Sequence, residues 1–201
     1  MSDNNAALNQ LIRRARVLDL QNNPDLPASI RQIIRTVDNE KRLMSTDEAQ
    51  ALCEWSGIQP GCIQLLQSEI DRLVQQARAK LLERDPSLMQ PGGALHPTNR
   101  AEACWNDCWQ FMRVLTIAVA IDHPQFTDPE GMQAMRDLYS LLGVPTEGLM
   151  IALQELKRLS LKAFDQLRWA HEGHVLAQAF DHLSNELNKS AVKSCKATQK
   201  K

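Results

Sequence analysis

Apolar residues recur at three- and four-residue steps along almost the whole chain, and this helical period limits the fold more than any other feature. Two of the clearest runs are Leu8, Leu11, Ile12, Ala15 and Leu18, and then Ile30, Ile33, Ile34 and Val37. Such spacing places the apolar side chains on one face of an α-helix. No segment shows the two-residue alternation of a half-buried strand. The sequence therefore predicts an all-α fold of about eight helices without an internal repeat.

Helix starts are marked by specific residues. Ser45, with Glu48 three residues later, forms a capping-box pattern. Asp128 followed by Pro129 is a second start signal, because aspartate caps helices and proline fits the first helical position. Asp25, followed two residues later by Pro27, indicates another helix start before the apolar run at Ile30.

A segment rich in helix breakers divides the chain. Residues 84–98 read RDPSLMQPGGALHPT, with three prolines and a Gly-Gly pair. This composition predicts a loop between a long helix ending near Arg84 and a helix from Asn99 to Ile121. Later, Gly143 suits a left-handed helix end. Helices are then expected at about Thr146–Trp169 and Gly173–Asn188.

The charge balance excludes several classes of partner. The chain has 201 residues, of which 23 are lysine or arginine and 24 are aspartate or glutamate, so the net charge is −1. Nucleic acid is therefore not an expected partner. No window approaches the roughly 18 apolar residues of a membrane helix, and the first residues lack a signal-peptide pattern. We expect a cytoplasmic protein of one domain, without membrane insertion.

The cysteines point to free thiols. The chain has five of them and no Cys-x-x-Cys pair: Cys53, Cys62, Cys104, Cys108 and Cys195. This argues against a disulfide framework and against a zinc ribbon. The HEGH run at 171–174 lacks the spacing and the third ligand of a zinc site. A haem ligand is also not expected, because His96 and His123 each precede a proline in a loop.

The richest stretch for chemistry opens the helix predicted at Asn99. Residues 104–109, CWNDCW, put two thiols, a carboxylate and two indoles within six positions. On a helix, Cys104, Asp107 and Cys108 share one stripe, and Arg100 lies on it too. Two interpretations stand: a ligand site, or a half-buried helix whose cysteines fill the core.

This stretch resembles the phycobiliproteins, the bilin-carrying, globin-like antenna proteins of phycobilisomes. The family has a Pro-Gly-Gly loop, paired arginines, a Cys-x-Arg-Asp motif and a hydrophobic continuation. The corresponding segments here are PGG at 91–93, NR at 99–100, CWND at 104–107 and FMRVLT at 111–116. Further similar segments are IRQIIRTVDNEKRLMS at 30–45, GMQAMRDLYSLLGVP at 131–145 and LMIALQELKRLSLKAF at 149–164. The resemblance covers roughly residues 30–187.

The resemblance implies a globin-like phycobiliprotein fold with an N-terminal helical extension. The expected division is an extra helical segment at 1–25, a globin-like domain at 26–188 and a lysine-rich tail at 189–201. The tail carries five lysines and no acid, which favours disorder.

It also implies a cofactor, at most one linear tetrapyrrole of the phycocyanobilin type. Cys104 occupies the position of the thiol that forms a thioether with the bilin. Asp107 occupies that of the carboxylate on the pyrrole nitrogens. Asn99 and Asn106 replace two family arginines, of which the second binds a bilin propionate, and Arg100 is left for that task.

Three aromatic residues near the motif have two interpretations. Trp105, Trp109 and Phe111 are candidates for pocket walls, with Trp105 the one placed in the site. Aromatic side chains at helical spacing are also typical of plain core.

The resemblance further implies partners. Asp38 and Arg113 occupy positions that pair between two family subunits, although an intramolecular or solvated pair is the other interpretation. Expected partners are other phycobiliprotein subunits or a homodimer mate, together with a bilin lyase or bilin-synthesis enzymes. The expected location is the cytoplasmic face of thylakoids, with phycobilisomes.

Three functions remain open on these grounds. The first is a pigment protein of the light-harvesting system. The second is a bilin biosynthesis-associated globin or an assembly factor that holds bilin loosely. The third is a bilin-free regulatory module of the same fold. No hydrolase or nucleotide motif is present, so an enzyme is not expected.

Overall fold

The computed structural model describes residues 2–189, and within them the chain forms eight α-helices, two short 3-10 helices and no β-strand. The all-α prediction is confirmed. The α-helices are α1 Ser2–Arg14, α2 Ala28–Asn39, α3 Thr46–Ser56, α4 Pro60–Arg84, α5 Thr98–Ala120, α6 Pro129–Leu142, α7 Thr146–Gln166 and α8 Ala170–Asn188. The 3-10 helices are Leu20–Asn22 and Pro86–Met89.

Most sequence signals for helix ends work as expected. The Ser45 hydroxyl accepts a hydrogen bond from the Glu48 backbone N–H, and the Glu48 carboxylate accepts one from the Ser45 N–H, which completes the capping box. Asp128 caps α6 by accepting from the Gly131 N–H at 2.9 Å. Gly143 ends α6 in the left-handed conformation, with φ of +63°.

Two helix ends differ from the prediction. α7 stops at Gln166 instead of Trp169, because Arg168 adopts a left-handed φ of +59° that ends the helix, and α8 then begins three residues early at Ala170. Asp25 caps none of the helices that the structure describes. α2 begins after Pro27 without a side-chain cap.

The Pro-Gly-Gly loop is folded closely against itself. Leu95 is buried, and its N–H donates to the Leu88 carbonyl at 2.9 Å. A side chain at Gly93 would meet the Ser87 carbonyl oxygen at 2.3 Å, so only glycine fits there. The loop thereby fixes where α5 starts.

The core is organised around the second half of α5. From Phe111 to Ile121 almost every side chain of this helix is buried, including Met112, Leu115 and Val119. α4, α7 and α8 pack around it, with α3 at one end. A helix that is apolar on all sides is expected only where neighbours surround it.

α1 packs on α6 at the edge of this core. The link after α1 is held by the Asp19 N–H donating to the Phe126 carbonyl at 2.9 Å and the Asp128 N–H donating to the Val17 carbonyl at 2.8 Å. Arg16 also forms a salt bridge with Asp128. No helix in the described part of the chain is both long and apolar enough to cross a membrane. Apart from Lys189, the predicted lysine-rich tail lies outside the described residues.

Candidate functional site

The first turns of α5 bring a thiol and a carboxylate to the wall of a cleft. Cys104 and Asp107 lie one helical turn apart, and both are half-buried. The cleft is bordered by α6 and by the start of α7. Because α5 begins outside the core and enters it only near Phe111, its first turns keep this face accessible.

Three adjoining cavities meet at Asp107. The largest, about 370 Å³, opens between α1, α5 and α6, where Ile12, Cys104 and Tyr139 line it. A second, about 290 Å³, runs along α5 toward Arg113. A third, about 20 Å³, reaches inward between α4, α5 and α7 and has room for about one water. The first two lie near the lower end of the volumes of small-molecule sites.

Asp107 is bonded to a buried tyrosine. The Tyr139 hydroxyl donates to Asp107 Oδ2 at 2.8 Å. Burial raises the pKa of Asp107, and the hydrogen bond from Tyr139 partly opposes that rise. Burial, together with the neighbouring Asp107 charge, raises the pKa of Tyr139 well above its ordinary value. The pair therefore presents a carboxylate whose charge is poorly solvated and which would gain from a cationic or N–H-bearing ligand.

The two thiols of the motif differ in access. Cys104 is half-buried and lines two of the three cavities, whereas Cys108 is buried. Burial and the Asp107 charge raise the pKa of Cys104, while Arg100 lowers it. Burial raises the pKa of Cys108 to about 12. Cys104 is thus the thiol that a ligand in the cleft can reach, although its thiolate is disfavoured at neutral pH.

Arg100 is largely occupied by backbone carbonyls. Its Nε donates to the Ala94 carbonyl at 3.1 Å, and its Nη2 donates to the Leu142 and Gly143 carbonyls at 3.0 and 2.9 Å. It therefore ties the Pro-Gly-Gly loop to the end of α6, and Nη1 makes none of these bonds. Asn106 is exposed and borders the second cavity.

The aromatic residues of the motif face different surroundings. Trp105 is buried and lines the innermost cavity, with the Arg78 guanidinium 5.7 Å from the centre of its ring. Its indole N–H has no hydrogen-bond partner among the described residues. Trp109 instead donates to Asp71 on α4 at 2.9 Å, and Phe111 is buried beside the second cavity.

Asp38 and Arg113 meet within one chain. Arg113 Nη2 donates to Asp38 Oδ1 at 2.7 Å, and the Arg113 side chain is only 2% exposed. The contact joins the end of α2 to the middle of α5. Both residues line the second cavity, so they also border the candidate site.

Sequence reasoning missed the side chains that α1 and α6 contribute to the cleft. Tyr139 is the single tyrosine of the chain, which was the only available signal that it is special. Ile12, Ala15 and Met135 also line the largest cavity. In the sequence these residues look like ordinary helix positions, because they line the cavity only when α1 lies beside α6.

The histidine-rich run at the start of α8 forms structural contacts. His171 Nε2 lies 3.2 Å from Asp122 Oδ2, and the buried Glu172 accepts from the Gln59 N–H at the start of α4. Within the part of the chain that the structure describes, no three potential ligands cluster as a metal site would need.

Comparison with known proteins shows which family the chain belongs to. The family described as Phycobilisome protein matches residues 32–187. An allophycocyanin subunit beta-18 from Nostoc sp. is 32% identical over 127 residues, which are 63% of this chain and 75% of the relative. An allophycocyanin subunit alpha-B from Nostoc sp. is 27% identical over 157 residues, which are 77% of this chain and 95% of the relative. An allophycocyanin alpha-B chain from Synechococcus sp. is 29% identical over the same length, with 77% and 94% covered. The chain therefore belongs to the phycobiliprotein family of the phycobilisome light-harvesting system, as a divergent member.

Proposed function

We propose that this chain is a bilin-binding protein of the phycobilisome system, with one linear tetrapyrrole in the cleft around Cys104 and Asp107. The observation that carries the proposal is the meeting of three cavities at Asp107, with the one reachable thiol of the motif a helical turn away. The family membership of the chain supports the same ligand class. When bound, such a group supplies absorption of visible light.

The donor set of the cleft suits a tetrapyrrole. Asp107 is a half-buried carboxylate that accepts hydrogen bonds, and pyrrole N–H groups are donors. A carboxylate beside a basic nitrogen raises the pKa of that nitrogen, so Asp107 favours the protonated chromophore. Trp105 has an unpartnered buried N–H at the inner cavity, where an acceptor the size of one water fits.

Cys104 supplies the covalent link in this proposal. Its sulfur adds to one carbon of an exocyclic double bond on the ligand, and the thiol proton passes to the neighbouring carbon, so the addition needs no oxidant. Thiolate is the reactive form, and burial raises the pKa of Cys104. Attachment is therefore slow without help, which fits a separate bilin lyase as a partner.

Two further polar groups complete the proposed contacts. The Nη1 nitrogen of Arg100 takes no part in the hydrogen bonds to backbone carbonyls, so it can donate to a propionate of the ligand. Asn106 is exposed at the edge of the cleft and offers an uncharged amide where the family has an arginine.

A second candidate function is a bilin biosynthesis-associated globin, or a phycobilisome assembly or regulatory factor, that holds bilin without a bond or not at all. The observation that favours it is the Asp38–Arg113 pair, which forms within one chain, whereas the family resemblance implies a pair between subunits. The raised pKa of Cys104 points the same way.

We propose the cytoplasmic face of thylakoids as the location, with other phycobiliprotein subunits or a second copy of the chain as partners. The proposed domain of residues 26–188 holds the motif. The proposed extension of residues 1–25 adds α1 to the mouth of the cleft. The proposed lysine-rich segment of residues 189–201 lies, apart from Lys189, outside the described residues.

The experiment that tests the first function is co-expression with bilin-producing enzymes and a lyase, followed by zinc-enhanced fluorescence of a denaturing gel. Wild type should give a fluorescent band, and Cys104→Ala should lose it. Cys108→Ala is the matched control and should keep the band, because that thiol is buried. Loss of the band in both variants, or in neither, would contradict the assignment. Bilin absorbance in native buffer without a gel band would favour the second function.

A further inference from the structure

The second cavity carries a feature that the bilin proposal has not used. It is about 290 Å³, lies beside α5 between Asp107 and Arg113, and shares Ala15, Asp107 and Met135 with the largest cavity. Arg113 and Lys41 both line it. A ligand in the main cleft can therefore extend a side arm toward two cations.

Arg113 has a spare donor nitrogen. Its Nε donates to Gln110 Oε1 at 2.7 Å and its Nη2 donates to Asp38 Oδ1 at 2.7 Å. The side chain is only 2% exposed, and its Nη1 is buried without a hydrogen-bond partner among the described residues. A buried guanidinium nitrogen without an acceptor is costly, so an acceptor in the cavity would be bound with a clear gain.

A second cation, Lys41, lines the cavity beside this nitrogen, together with the carboxylates of Asp38 and Asp107. Lys41 Nζ donates to the same Asp38 oxygen at 3.3 Å, so two cations share one carboxylate. Of the other charged groups that line the cavity, Arg16 is paired with Asp128, and Asp107 is bonded to Tyr139. The Lys41 side chain is 58% exposed, so it is free to follow a ligand.

We propose that Arg113 Nη1 and Lys41 Nζ form a carboxylate subsite that binds a propionate arm of the tetrapyrrole. The inference rests on the proposed function above. The subsite takes over the task of the family arginine that Asn106 replaces. Because Nη1 is enclosed, the carboxylate reaches it by a local shift of the rim, and charge-assisted hydrogen bonds to both cations then hold it.

The test compares biliverdin with its dimethyl ester, which has the same ring system but no free carboxylate. Binding is titrated by absorbance in a Cys104→Ala background, so that it is reversible. We expect the acid to bind about tenfold more tightly than the ester. Lys41→Gln should lower the affinity for the acid about threefold and leave that for the ester unchanged.

Two further variants sharpen the result. Lys80→Gln is the matched control, because Lys80 pairs with Glu83 at the same three-residue spacing but lies outside this cavity. Arg113→Lys keeps a charge opposite Asp38 without a second nitrogen, and it should lose most of the preference for the acid. If that variant does not fold, the Lys41 comparison decides.

The outcomes separate the two proposals. Equal affinities for acid and ester, or an unchanged preference in Lys41→Gln, would overturn the subsite and leave bilin binding standing. Binding of neither compound would overturn both. The subsite is supported if the preference for biliverdin over its dimethyl ester falls in Lys41→Gln and does not fall in Lys80→Gln.

Discussion

At the scale of single residues, the chemistry of the cleft depends on one hydrogen bond between Tyr139 and Asp107. Burial alone raises the pKa of Asp107, and the tyrosine hydroxyl opposes that effect by donating to the carboxylate. Tyr139 thus helps to keep Asp107 charged inside a poorly solvated site. A charged Asp107 is what the proposed ligand requires.

This bond leads to a pH-dependent prediction. A carboxyl whose pKa is higher in the folded than in the unfolded state makes the protein less stable as pH rises from the ordinary aspartate value of 3.8 through the raised pKa. Tyr139→Phe removes the opposing effect and raises the pKa of Asp107 further. We expect the variant to lose about 1.5 kcal/mol at pH 7, and less at acidic pH where Asp107 is protonated.

Urea unfolding of both proteins across the acidic to neutral range measures this difference. Thr116→Val serves as the control, because the buried Thr116 hydroxyl donates to the Arg113 carbonyl, which does not titrate. Its loss of stability should not vary with pH. A loss in Tyr139→Phe that is equally independent of pH would rule out the proposed effect on Asp107.

At the scale of elements, the placement of α1 against α6 sets the shape of the cleft. The link that follows α1 comes close to α6 at Gly131, in the first turn of α6. A side chain there would lie 2.3 Å from the Arg16 carbonyl oxygen and 2.6 Å from Arg16 Cγ. The absence of a side chain at this position therefore lets the link after α1 lie across the start of α6.

Gly131→Ala should accordingly destabilise the protein by about 2 kcal/mol, because backbone must move to relieve the contact. Gly148→Ala, in α7, is the matched control. Its new methyl group would lie 3.6 Å from Leu81, an ordinary contact, so it should be neutral or stabilise by about 0.5 kcal/mol. Thermal unfolding of both variants measures the difference, and equal stabilities would refute the steric argument.

α1 should also slow entry to the cleft. Ile12 lines the mouth and is 53% exposed, and the described side chains of α1 are half-buried or exposed, so the helix is weakly held. Deletion of residues 1–14 should raise the association rate of biliverdin about threefold or more. Stopped-flow absorbance measures this rate. Arg13→Ala is the control, since Arg13 does not line the cleft; an unchanged rate in the deletion would mean that α1 does not limit access.

At the scale of the whole molecule, the Asp38–Arg113 pair joins α2 to the central helix. Removing Asp38 leaves the Arg113 guanidinium buried without its carboxylate. Asp38→Asn should therefore lower the free energy of unfolding by about 3 kcal/mol, independently of protein concentration. Glu40→Gln is the control, because Glu40 is exposed in its pair with Arg42, and it should change stability little.

The same variant reports on assembly. Sizing-column elution of Asp38→Asn should match that of wild type if the pair acts within one chain, as it does in this structure. A shift toward smaller species, with a loss of stability that depends on concentration, would place the pair between subunits instead.

The sequence alone determined the helical class, most helix ends and the stripe that carries Cys104 and Asp107. These features depend on side chains within four residues of one another, as in the Ser45–Glu48 capping box. The sequence did not predict where α7 ends, because the residue with the left-handed backbone that follows it is Arg168 and not a glycine.

Only the tertiary structure decided which groups surround that stripe. The Tyr139–Asp107 bond joins residues 32 positions apart. The Arg113–Asp38 bond joins residues 75 apart; the family resemblance named these two residues as a pair, and the structure places their contact within one chain. Neither spacing leaves a local pattern, because contacts over such distances depend on how whole helices pack. For the same reason the sequence did not show that Ile12 lines the same cavity as Cys104, since this depends on α1 lying against α6.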